Sequence, residues 1–478
     1  MKLSELFNGA PDIEIEQLSV DSRFPMKNAI FFCLNGIKYD GHNYIKEAIE
    51  NGAKVIVYSK DIDYKDKAIF IKVKSVNSAL NKIGNQFYNY PNKDIDTYVV
   101  CGNYGKSSVT TFINYYLNRV SKCAYIGILG IMYDRFKLKS SYSTLNILDN
   151  LKTLDNLRAN NVKAATFEAS VRSLALQKLD CINPDFFIYT CTDNRSSEYF
   201  SDDYYAQLRK YTYSLEDDCI GGLNIDDESY NHIHDSISNQ VTYGINDNAT
   251  YRIKDINLSK DGIRYNIQYD EGLYPVEARL QGLVNVYNLT AAIATLHKKG
   301  YPLNELISAF KDVEDVDGVM ERIDDEYNII VDSAFDITSI ELICQYAQSI
   351  KADGKTIGVV PINYSDGENR IKQIMEIVQK YLDVIILTEN ESGAGEVMHI
   401  LEKCDKYTTS KKVLHSSMRS VAIENAIEIM NKDDVVIIIG KGNENFLEMG
   451  LGKESYKGDK YYAKKFINKR RMEENEII

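Results

Sequence analysis

A short glycine-containing segment, residues 102–108, has the residue types and spacing that hold a phosphate group. The apolar run 98–101 predicts a strand in front of it, and residues 109–118 predict a helix behind it. In such a turn the backbone N–H groups point toward an anion, a lysine adds positive charge, and a hydroxyl at the helix start can bind Mg²⁺. We therefore predict a polyphosphate site formed by Gly102, Asn103, Gly105, Lys106, Ser107 and Ser108.

The loop taken alone leaves a second interpretation open. The full phosphate-loop pattern has another glycine five positions before Gly105, and Val100 stands there. A plain strand-to-helix turn that contains Gly-Lys-Ser would give the same local sequence. Other parts of the chain have to decide between the two interpretations.

A carboxylate, Glu168, ends a second predicted strand at residues 165–168. A carboxylate that ends a strand beside a phosphate loop stands where a further Mg²⁺ ligand belongs. We therefore predict Ser107 and Glu168 as the metal ligands. Lys106 and Glu168 are the predicted catalytic residues.

The elements that must position these residues are predicted to form an α/β fold. Short β-branched runs alternate with longer amphipathic stretches, which indicates βαβ units around largely parallel sheets. Residues 246–280 instead alternate apolar and polar side chains, which predicts an antiparallel hairpin. The predicted buried strands are residues 29–34, 54–58, 98–101, 165–168, 186–190, 329–332, 356–360, 384–388 and 435–439.

The 478 residues are too many for one ordinary core, and two punctuation points divide them into three predicted domains. A polar, turn-forming segment at 90–94 places the first boundary near residue 93. Acidic stretches around 316–318 and 324–326 place the second near residue 322. The predicted domains are residues 1–93, 94–322 and 323–478, and the charged end from residue 464 is predicted to be solvated.

Composition limits the partners and the compartment. A net charge of −13 argues against non-specific binding to nucleic acid or to an anionic membrane, because either kind of binding needs clustered positive charge on the protein. The eight cysteines form no C-x-x-C pair, as is typical of reduced cytosolic thiols. The N-terminal segment lacks an apolar signal region, and no run of about 18 apolar residues occurs. We expect a cytoplasmic protein without a membrane span.

The loop is similar to the G-T-x-G-K-[ST] variant of the Mur ligases, with Asn103 in place of the threonine. Further segments resemble motifs of that family, in the same order, from about residue 20 to residue 445. Within the family, the layout resembles that of the UDP-N-acetylmuramoyl-tripeptide synthetases. The matching segments are Asp21-Ser22-Arg23, Tyr39-Asp40-Gly41-His42, Phe167-Glu168-Ala169-Ser170, Asn224-Ile225-Asp226-Asp227, residues 282–292, Gly318-Val319-Met320-Glu321 and residues 440–444.

The resemblance implies an N-terminal domain for a UDP-sugar, a central ATP-binding domain and a C-terminal Rossmann-like domain. It implies an ATP- and Mg²⁺-dependent ligase of peptidoglycan biosynthesis, which adds an amino acid to a UDP-N-acetylmuramoyl-peptide-like precursor through an acyl phosphate. A helix-capping role is the alternative for the two asparagines of residues 282–292. The implied contacts are Ser22 for the uridine end, Ser143, Thr144 and Ser170 for the sugar-peptide, Asn285 and Asn288 for the adenine, and Asp332 for the ribose.

Several residues that the family uses for chemistry are replaced. The lysine that the family carbamylates is Arg209, which cannot form a carbamate, so a direct guanidinium–phosphate contact is the alternative. Val319 removes the arginine of G-R-M-E. The D-N-P-R segment is represented by residues 389–392 without an arginine, so we do not expect diaminopimelate as the acceptor. The family's motif histidines are replaced by Arg172, Ser196, Phe335 and Asn443.

These losses motivate a second hypothesis. The chain would then be a catalytically impaired paralog that keeps a nucleotide or UDP-sugar pocket and acts as a binding or regulatory partner. An unrelated phosphate-loop kinase or ATPase is a third reading, but it leaves residues 21–23 and 282–292 unexplained.

Overall fold

Three sheets follow one another along the chain, each flanked by helices. The computed structural model describes residues 1–36, 39–63, 67–139, 144–192, 204–363, 365–392, 397–409, 412–449 and 452–476. Within those residues the sheets have four, eleven and eight strands. The predicted α/β class with three domains is confirmed. The boundary near residue 93 falls between the first two sheets, whereas the one near 322 falls in a short strand that already pairs in the third sheet, and both boundaries stay predictions.

The first sheet is entirely parallel, in the order β1-β2-β3-β4. Its central strands are apolar on both faces and buried, as helices or other domains cover them. Its elements are β1 (Gln17–Ser19), β2 (Ala29–Phe32), β3 (Ala53–Tyr58), β4 (Ile69–Lys72), α1 (Leu3–Leu6), α2 (Ile45–Glu50) and α3 (Val76–Phe87).

The second sheet has the order β15-β14-β13-β12-β11-β10-β5-β9-β6-β7-β8, with parallel strands at its centre. Its strands are β5 (Asp96–Cys101), β6 (Cys123–Gly127), β7 (Gly130–Tyr133), β8 (Phe136–Leu138), β9 (Ala164–Ala169), β10 (Phe186–Tyr189), β11 (Ile220–Asn224), β12 (Asn239–Gly244), β13 (Tyr251–Ser259), β14 (Gly262–Tyr269) and β15 (Gly272–Ala278). Its helices are α4 (Lys106–Val120), α5 (Ile147–Ala159), α6 (Val171–Ala175), α7 (Tyr204–Thr212), α8 (Tyr230–Ile233), α9 (Gly282–Lys299) and α10 (Leu303–Phe310).

Two features of this sheet matter for the site. Strands β5 and β9 are neighbours in parallel register, with Val100 opposite Glu168 and Cys101 opposite Ala169. The loop that follows β5 and the Glu168 carboxylate near the end of β9 therefore lie at the same edge of the sheet. The predicted antiparallel excursion is confirmed and is longer than a hairpin, because β13, β14 and β15 form a three-stranded meander.

The third sheet has the order β16-β17-β21-β18-β19-β22-β23, with β20 also paired to β19. Its strands are β16 (Glu321–Arg322), β17 (Asn328–Asp332), β18 (Thr356–Asn363), β19 (Val384–Ser392), β20 (Lys412–Ser416), β21 (Val435–Ile439), β22 (Phe446–Met449) and β23 (Gly452–Ser455). Its helices are α11 (Ile337–Ile350), α12 (Glu368–Tyr381), α13 (Val397–Lys403), α14 (Arg419–Ile429) and α15 (Asp459–Glu476). Strands β17, β18, β19 and β21 are parallel, so their carboxyl ends share one edge.

The C-terminal helix α15 contradicts the prediction of a solvated end. Its residues Ala463, Phe466 and Ile467 are buried in the core of the third domain. Arg470 donates hydrogen bonds to the carbonyl oxygens of Ile427 and Met430, at 2.7 and 2.6 Å. Three apolar residues at helical spacing are enough to dock one face, although charged residues dominate the composition.

The eight cysteines are free thiols, and all of them are buried. Among the described residues, no helix is both long enough and apolar enough to cross a bilayer.

Candidate active site

The predicted phosphate loop connects β5 to α4 in a conformation that requires two of its glycines. Gly102 has a φ of +145°, and a Cβ atom there would lie 2.1 Å from the Thr190 hydroxyl oxygen. Gly105 has a φ of +80°, and a Cβ atom there would lie 2.4 Å from Oδ1 of Asn288. A side chain at either position would be strained and would clash. The loop is therefore a tight turn that leads straight into the N-terminus of α4.

Lys106 begins α4 and lies over this turn. Its Nζ atom donates to the carbonyl oxygen of Asn103 at 2.6 Å. No carboxylate within salt-bridge distance of it is found among the described residues, and the side chain lines a large cavity. The positive charge is thus held by a neutral carbonyl group and faces the space in front of the loop.

Glu168 is buried beside the loop, with only 2% of its surface exposed. The Tyr125 hydroxyl donates to its Oε1 atom, and the backbone N–H of Ile128 donates to Oε2 at 3.4 Å. Burial raises the pKa of this carboxyl group, while the Lys106 charge and a hydrogen bond with the Ser107 hydroxyl lower it. The structure therefore brings Glu168, Lys106 and Ser107 together.

The cavity has a volume of about 700 Å³ and lies between the central and third domains. One end is formed by the phosphate loop and Glu168. The other walls come from the start of α9, the hinge segment around residue 319, the carboxyl ends of β17, β18 and β19, and the loop after β21. Its volume is within the range of sites for small molecules and cofactors.

The two asparagines of α9 form a hydrogen-bonded chain that ends beside the phosphate loop, and their contact with an adenine stays a prediction. Nδ2 of Asn288 donates to Oδ1 of Asn285 at 3.3 Å, and Nδ2 of Asn285 donates to the carbonyl oxygen of Gln281 at 2.9 Å. Asn288 lines the cavity next to Gly105, whereas Asn285 lies behind it. Neither caps the helix, because α9 begins at Gly282 with Gln281 as its N-cap.

Asp332 ends β17 and lines the cavity on the third domain. Its two carboxylate oxygens accept hydrogen bonds from the backbone N–H groups of Met320 and Ala334, both at 2.6 Å. Burial raises the pKa of Asp332 to about 7. The carboxyl group therefore ties the hinge segment to the third sheet, and its contact with a ribose stays a prediction.

The predicted substrate residues are not all in one place. Thr144 donates its hydroxyl to the carbonyl oxygen of Glu168 at 3.0 Å, and Ser170 lines the cavity while its side chain caps α6. Ser22 lies in the first domain, where its hydroxyl donates to Glu47 at 2.5 Å. Ser143 lies outside the described residues, as does Ser196.

Arg209 contradicts the predicted guanidinium–phosphate contact. Its Nη2 atom lies 2.5 Å from Oδ2 of Asp235, and Nη1 donates to the carbonyl oxygen of His232 at 3.1 Å. The arginine is therefore held at the outer side of α7 and does not line the cavity. The ion pair with Asp235, 26 positions later in the chain, orients this side chain.

Four further residues complete the site and were not found from the sequence. The Tyr204 hydroxyl donates to Oδ1 of Asn103 at 2.6 Å and so connects α7 to the loop. Lys441, in the loop after β21, is buried and pairs with Glu444 at 2.9 Å. Tyr125 holds Glu168, and Arg370 lines the third-domain wall. Only Lys441 had a sequence signal, in the G-K-G-x-E segment.

Comparisons with known proteins identify the family. Residues 14–88 match the family model described as "Mur ligase family, catalytic domain", residues 100–296 match "Mur ligase middle domain", and residues 319–442 match "Mur ligase, glutamate ligase domain". A relative from Clostridioides difficile (strain 630), named UDP-N-acetylmuramoyl-L-alanyl-D-glutamate–2,6-diaminopimelate ligase, is 30% identical over 98% of this chain and 100% of its own length. The chain belongs to the Mur ligase family.

Other Mur ligases agree with this assignment. A UDP-N-acetylmuramyl-tripeptide synthetase 2 from Oceanobacillus iheyensis is 29% identical over 93% of each chain. A solved structure of a UDP-N-acetylmuramoyl-L-alanyl-D-glutamate–2,6-diaminopimelate ligase superposes with a TM-score of 0.70 at 19% identity and covers 98% of this chain and 99% of its own. A MurF ligase from Thermotoga maritima in complex with ADP has a TM-score of 0.65 at 14% identity, over 95% and 97% of the two chains. These structures confirm the three-domain fold.

Proposed function

We propose that this Mur ligase joins the carboxylate of a UDP-N-acetylmuramoyl-peptide to the amine of an amino acid at the expense of ATP. The observation that carries the proposal is the buried Glu168 carboxylate beside the phosphate loop, at a cavity shared by two domains. The relative that covers the whole chain is named as a ligase of UDP-N-acetylmuramoyl-L-alanyl-D-glutamate.

The lining of the cavity suits both the phosphates and the base of ATP. The phosphate loop offers backbone N–H groups at the N-terminus of α4, together with the charge of Lys106. The lining of the cavity also includes apolar side chains, among them Leu283, Met320 and Ile343. Apolar side chains in a cavity that also contains a polyphosphate site fit a purine base.

The chemistry that fits this arrangement has two steps. A carboxylate oxygen of the peptide attacks the γ-phosphorus of ATP, the bond to the bridging oxygen breaks, and ADP leaves with that electron pair. The amine of the amino acid then attacks the acyl carbon, inorganic phosphate leaves, and the amine proton passes to phosphate or water. Lys106 and the loop neutralise charge on the phosphates, which is the main protein contribution to phosphoryl transfer.

Mg²⁺ fits the residues at the loop. Glu168 is a buried carboxylate whose pKa is raised by burial, so a cation next to it would stabilise its charged form. Among the described residues, no three His, Cys, Asp or Glu side chains are grouped to hold a metal by themselves. A Mg²⁺ ion would therefore be held by Ser107, Glu168 and phosphate oxygens, and it would neutralise phosphate charge.

The first domain is the proposed place for the uridine end of the substrate, with Ser22 as a contact. Thr144 and Ser170, which lie at the strand end of Glu168, are the proposed contacts for the peptide. The acceptor is proposed to be an amino acid other than diaminopimelate, because residues 389–392 contain no arginine for its second carboxylate.

The alternative of an impaired paralog has no support from the comparisons, since the relatives that cover the full chain are named as ligases and synthetases. Arg209 pairs with Asp235 and does not line the cavity, so the loss of the family's carbamylated lysine stays an argument for that alternative.

The test is ADP release from ATP·Mg²⁺ in the presence of UDP-N-acetylmuramoyl-L-alanyl-D-glutamate and single amino acids. We expect ADP to form with at least one amino acid, and the product mass to equal that of the two substrates minus one water. Binding of ATP without ADP release in any combination would instead favour the impaired paralog.

A further inference from the structure

A buried tyrosine holds one oxygen of Glu168, the proposed metal ligand. Tyr125 lies on β6 and is paired with Thr166 of β9, so it shares a face of the sheet with Glu168, two positions further along β9. The Tyr125 hydroxyl donates a hydrogen bond to Oε1 of Glu168, and both side chains are almost fully buried. Tyr125 does not line the cavity, so it can act on a bound cation only through Glu168.

The space around this pair is just large enough for the hydrogen bond. A Cβ atom on Gly127 would lie 2.6 Å from Cδ of Glu168 and 2.6 Å from the Tyr125 hydroxyl oxygen. The backbone N–H of Leu129 lies 3.4 Å from the same hydroxyl oxygen. The glycine at position 127 therefore leaves room for the two side chains to meet beside the turn between β6 and β7.

The second oxygen of the carboxylate is held less firmly. Oε2 of Glu168 lies 3.4 Å from the backbone nitrogen of Ile128, which is longer than an ordinary hydrogen bond. The Ser107 hydroxyl also hydrogen-bonds the carboxyl group, at the end that faces the phosphate loop and the cavity. Glu168 thus has one oxygen committed to Tyr125 and one that is available to a ligand in the cavity.

Mg²⁺ and Ca²⁺ differ in what they require of a carboxylate. Mg²⁺ demands a near-ideal octahedron and takes few protein carboxylates beside phosphate oxygens, whereas Ca²⁺ takes more oxygens and often both oxygens of one carboxylate. A carboxylate whose Oε1 atom is occupied by a hydroxyl donor has only Oε2 to offer. The arrangement at Glu168 therefore suits Mg²⁺ better than Ca²⁺.

We propose that Tyr125 is a positioning residue that keeps Glu168 a one-oxygen ligand and thereby favours Mg²⁺ over Ca²⁺ at the phosphate loop. The inference rests on the proposed function, in which Ser107 and Glu168 hold the cation that accompanies ATP. It assigns the choice of cation to a side chain that does not touch the cation.

The test compares two dissociation constants of the full-length protein, that of ATP at saturating Ca²⁺ and that of ATP at saturating Mg²⁺. Calorimetric titration gives both constants without any turnover. A tyrosine that only supports the fold would change both constants by the same factor and leave their ratio unchanged. A tyrosine that restricts Glu168 to one oxygen changes the ratio itself.

Two variants break the hydrogen bond in different ways. Tyr125→Phe removes the hydroxyl and keeps the ring, and Gly127→Ala introduces a Cβ atom that forces the hydroxyl and the carboxyl group apart. Tyr98→Phe is the matched control, because Tyr98 is also fully buried and pairs with Thr166 from the other side, in β5. Its hydroxyl has no hydrogen-bond partner among the described residues. Thermal midpoints report whether each variant is folded.

In the wild type, we expect ATP to bind more tightly with Mg²⁺ than with Ca²⁺. In Tyr125→Phe, the affinity with Mg²⁺ should fall roughly tenfold, as for the loss of a group that orients a metal ligand. The affinity with Ca²⁺ should stay within about twofold of the wild type, because the second carboxylate oxygen becomes available to this ion. The ratio should also fall in Gly127→Ala, whereas the control should keep both constants.

Three results would overturn the inference. The first is equal affinity for ATP with the two ions in the wild type, which is decisive even without a variant. The second is an unchanged ratio in whichever of the two variants is folded, and the third is the same change of ratio in Tyr98→Phe. Failure of the proposed function looks different, because the wild type would then bind ATP with neither ion or would never release ADP.

Discussion

The two sides of the cavity hold their charges in different ways. On the central domain, the phosphate loop relies on backbone N–H groups, and Lys106 rests on a carbonyl oxygen. On the third domain, the cations Arg370 and Lys441 are paired with Asp366 and Glu444. The central side offers backbone N–H groups and a lysine without an ion pair among the described residues, which suits a highly charged anion, whereas each of these third-domain cations is neutralised by a neighbouring carboxylate. The comparison teaches that the central side is the one built to hold a polyphosphate, whereas the cations of the third-domain side are already committed to neighbouring carboxylates.

The largest loss of activity should come from removing the Lys106 charge on the central side of the cavity. Lys106→Ala removes the cation of the loop, and we expect the rate of ADP formation to fall about 10²- to 10³-fold, as for the loss of one preorganised electrostatic group. Thermal midpoints should stay close to the wild type, because Lys106 makes no ion pair among the described residues. A loss of less than about tenfold would show that the loop is not the main phosphate site.

A loss of similar size, about 10²-fold, is expected for Glu168→Gln, which keeps the shape of the side chain but removes its charge. The amide oxygen can still accept the hydrogen bond from Tyr125, whereas the new NH2 group faces the backbone N–H of Ile128, so the thermal midpoint is measured beside the rate. Raising the Mg²⁺ concentration should restore part of the rate if Glu168 acts through the metal. If the rate of the variant stays low at every Mg²⁺ concentration, Glu168 has a role other than holding the metal.

A smaller effect is expected where the loop meets α7. Tyr204→Phe removes the hydroxyl that donates to Asn103 and that also lies 2.9 Å from the Tyr189 hydroxyl, and the bond to the neutral Asn103 is worth about 1 kcal/mol. We therefore expect KM for ATP to rise about fivefold while KM for the amino acid is unchanged. A change in KM for the amino acid alone would contradict the separation between the phosphate-loop side and the third-domain side of the cavity.

The smallest change in activity is expected for a substitution of Arg209. The side chain pairs with Asp235 away from the cavity, so Arg209→Gln should change kcat and KM for ATP less than about twofold. The steady-state rates of ADP formation test this directly. A loss of tenfold or more would mean that α7 moves during the reaction and brings the arginine to the nucleotide.

What the sequence predicted correctly was encoded in contiguous residues. The strand, glycine turn and helix around Lys106 are read in one short segment, and Glu168 follows from the end of a second strand. The α/β class and the antiparallel excursion follow from the period of apolar residues.

The features that the sequence did not predict depend on packing between segments that are distant in the chain. A local sequence pattern does not indicate such packing. Arg209 turns toward Asp235, and Tyr204 reaches Asn103 over 101 positions of sequence. Arg370 becomes a site residue only because α12 places it on the wall of the cavity. The docking of α15 was missed because charged residues mask a three-residue apolar stripe.

Calorimetric titration of the wild type and of Lys106→Ala with ATP·Mg²⁺ tests the central claim most directly. The structure predicts one ATP bound per chain for the wild type and a loss of affinity of roughly tenfold to hundredfold for the variant, as for the loss of one charged hydrogen-bonding group. Equal affinity in both proteins, or no binding by the folded wild type, would contradict the assignment of the glycine turn as the triphosphate site.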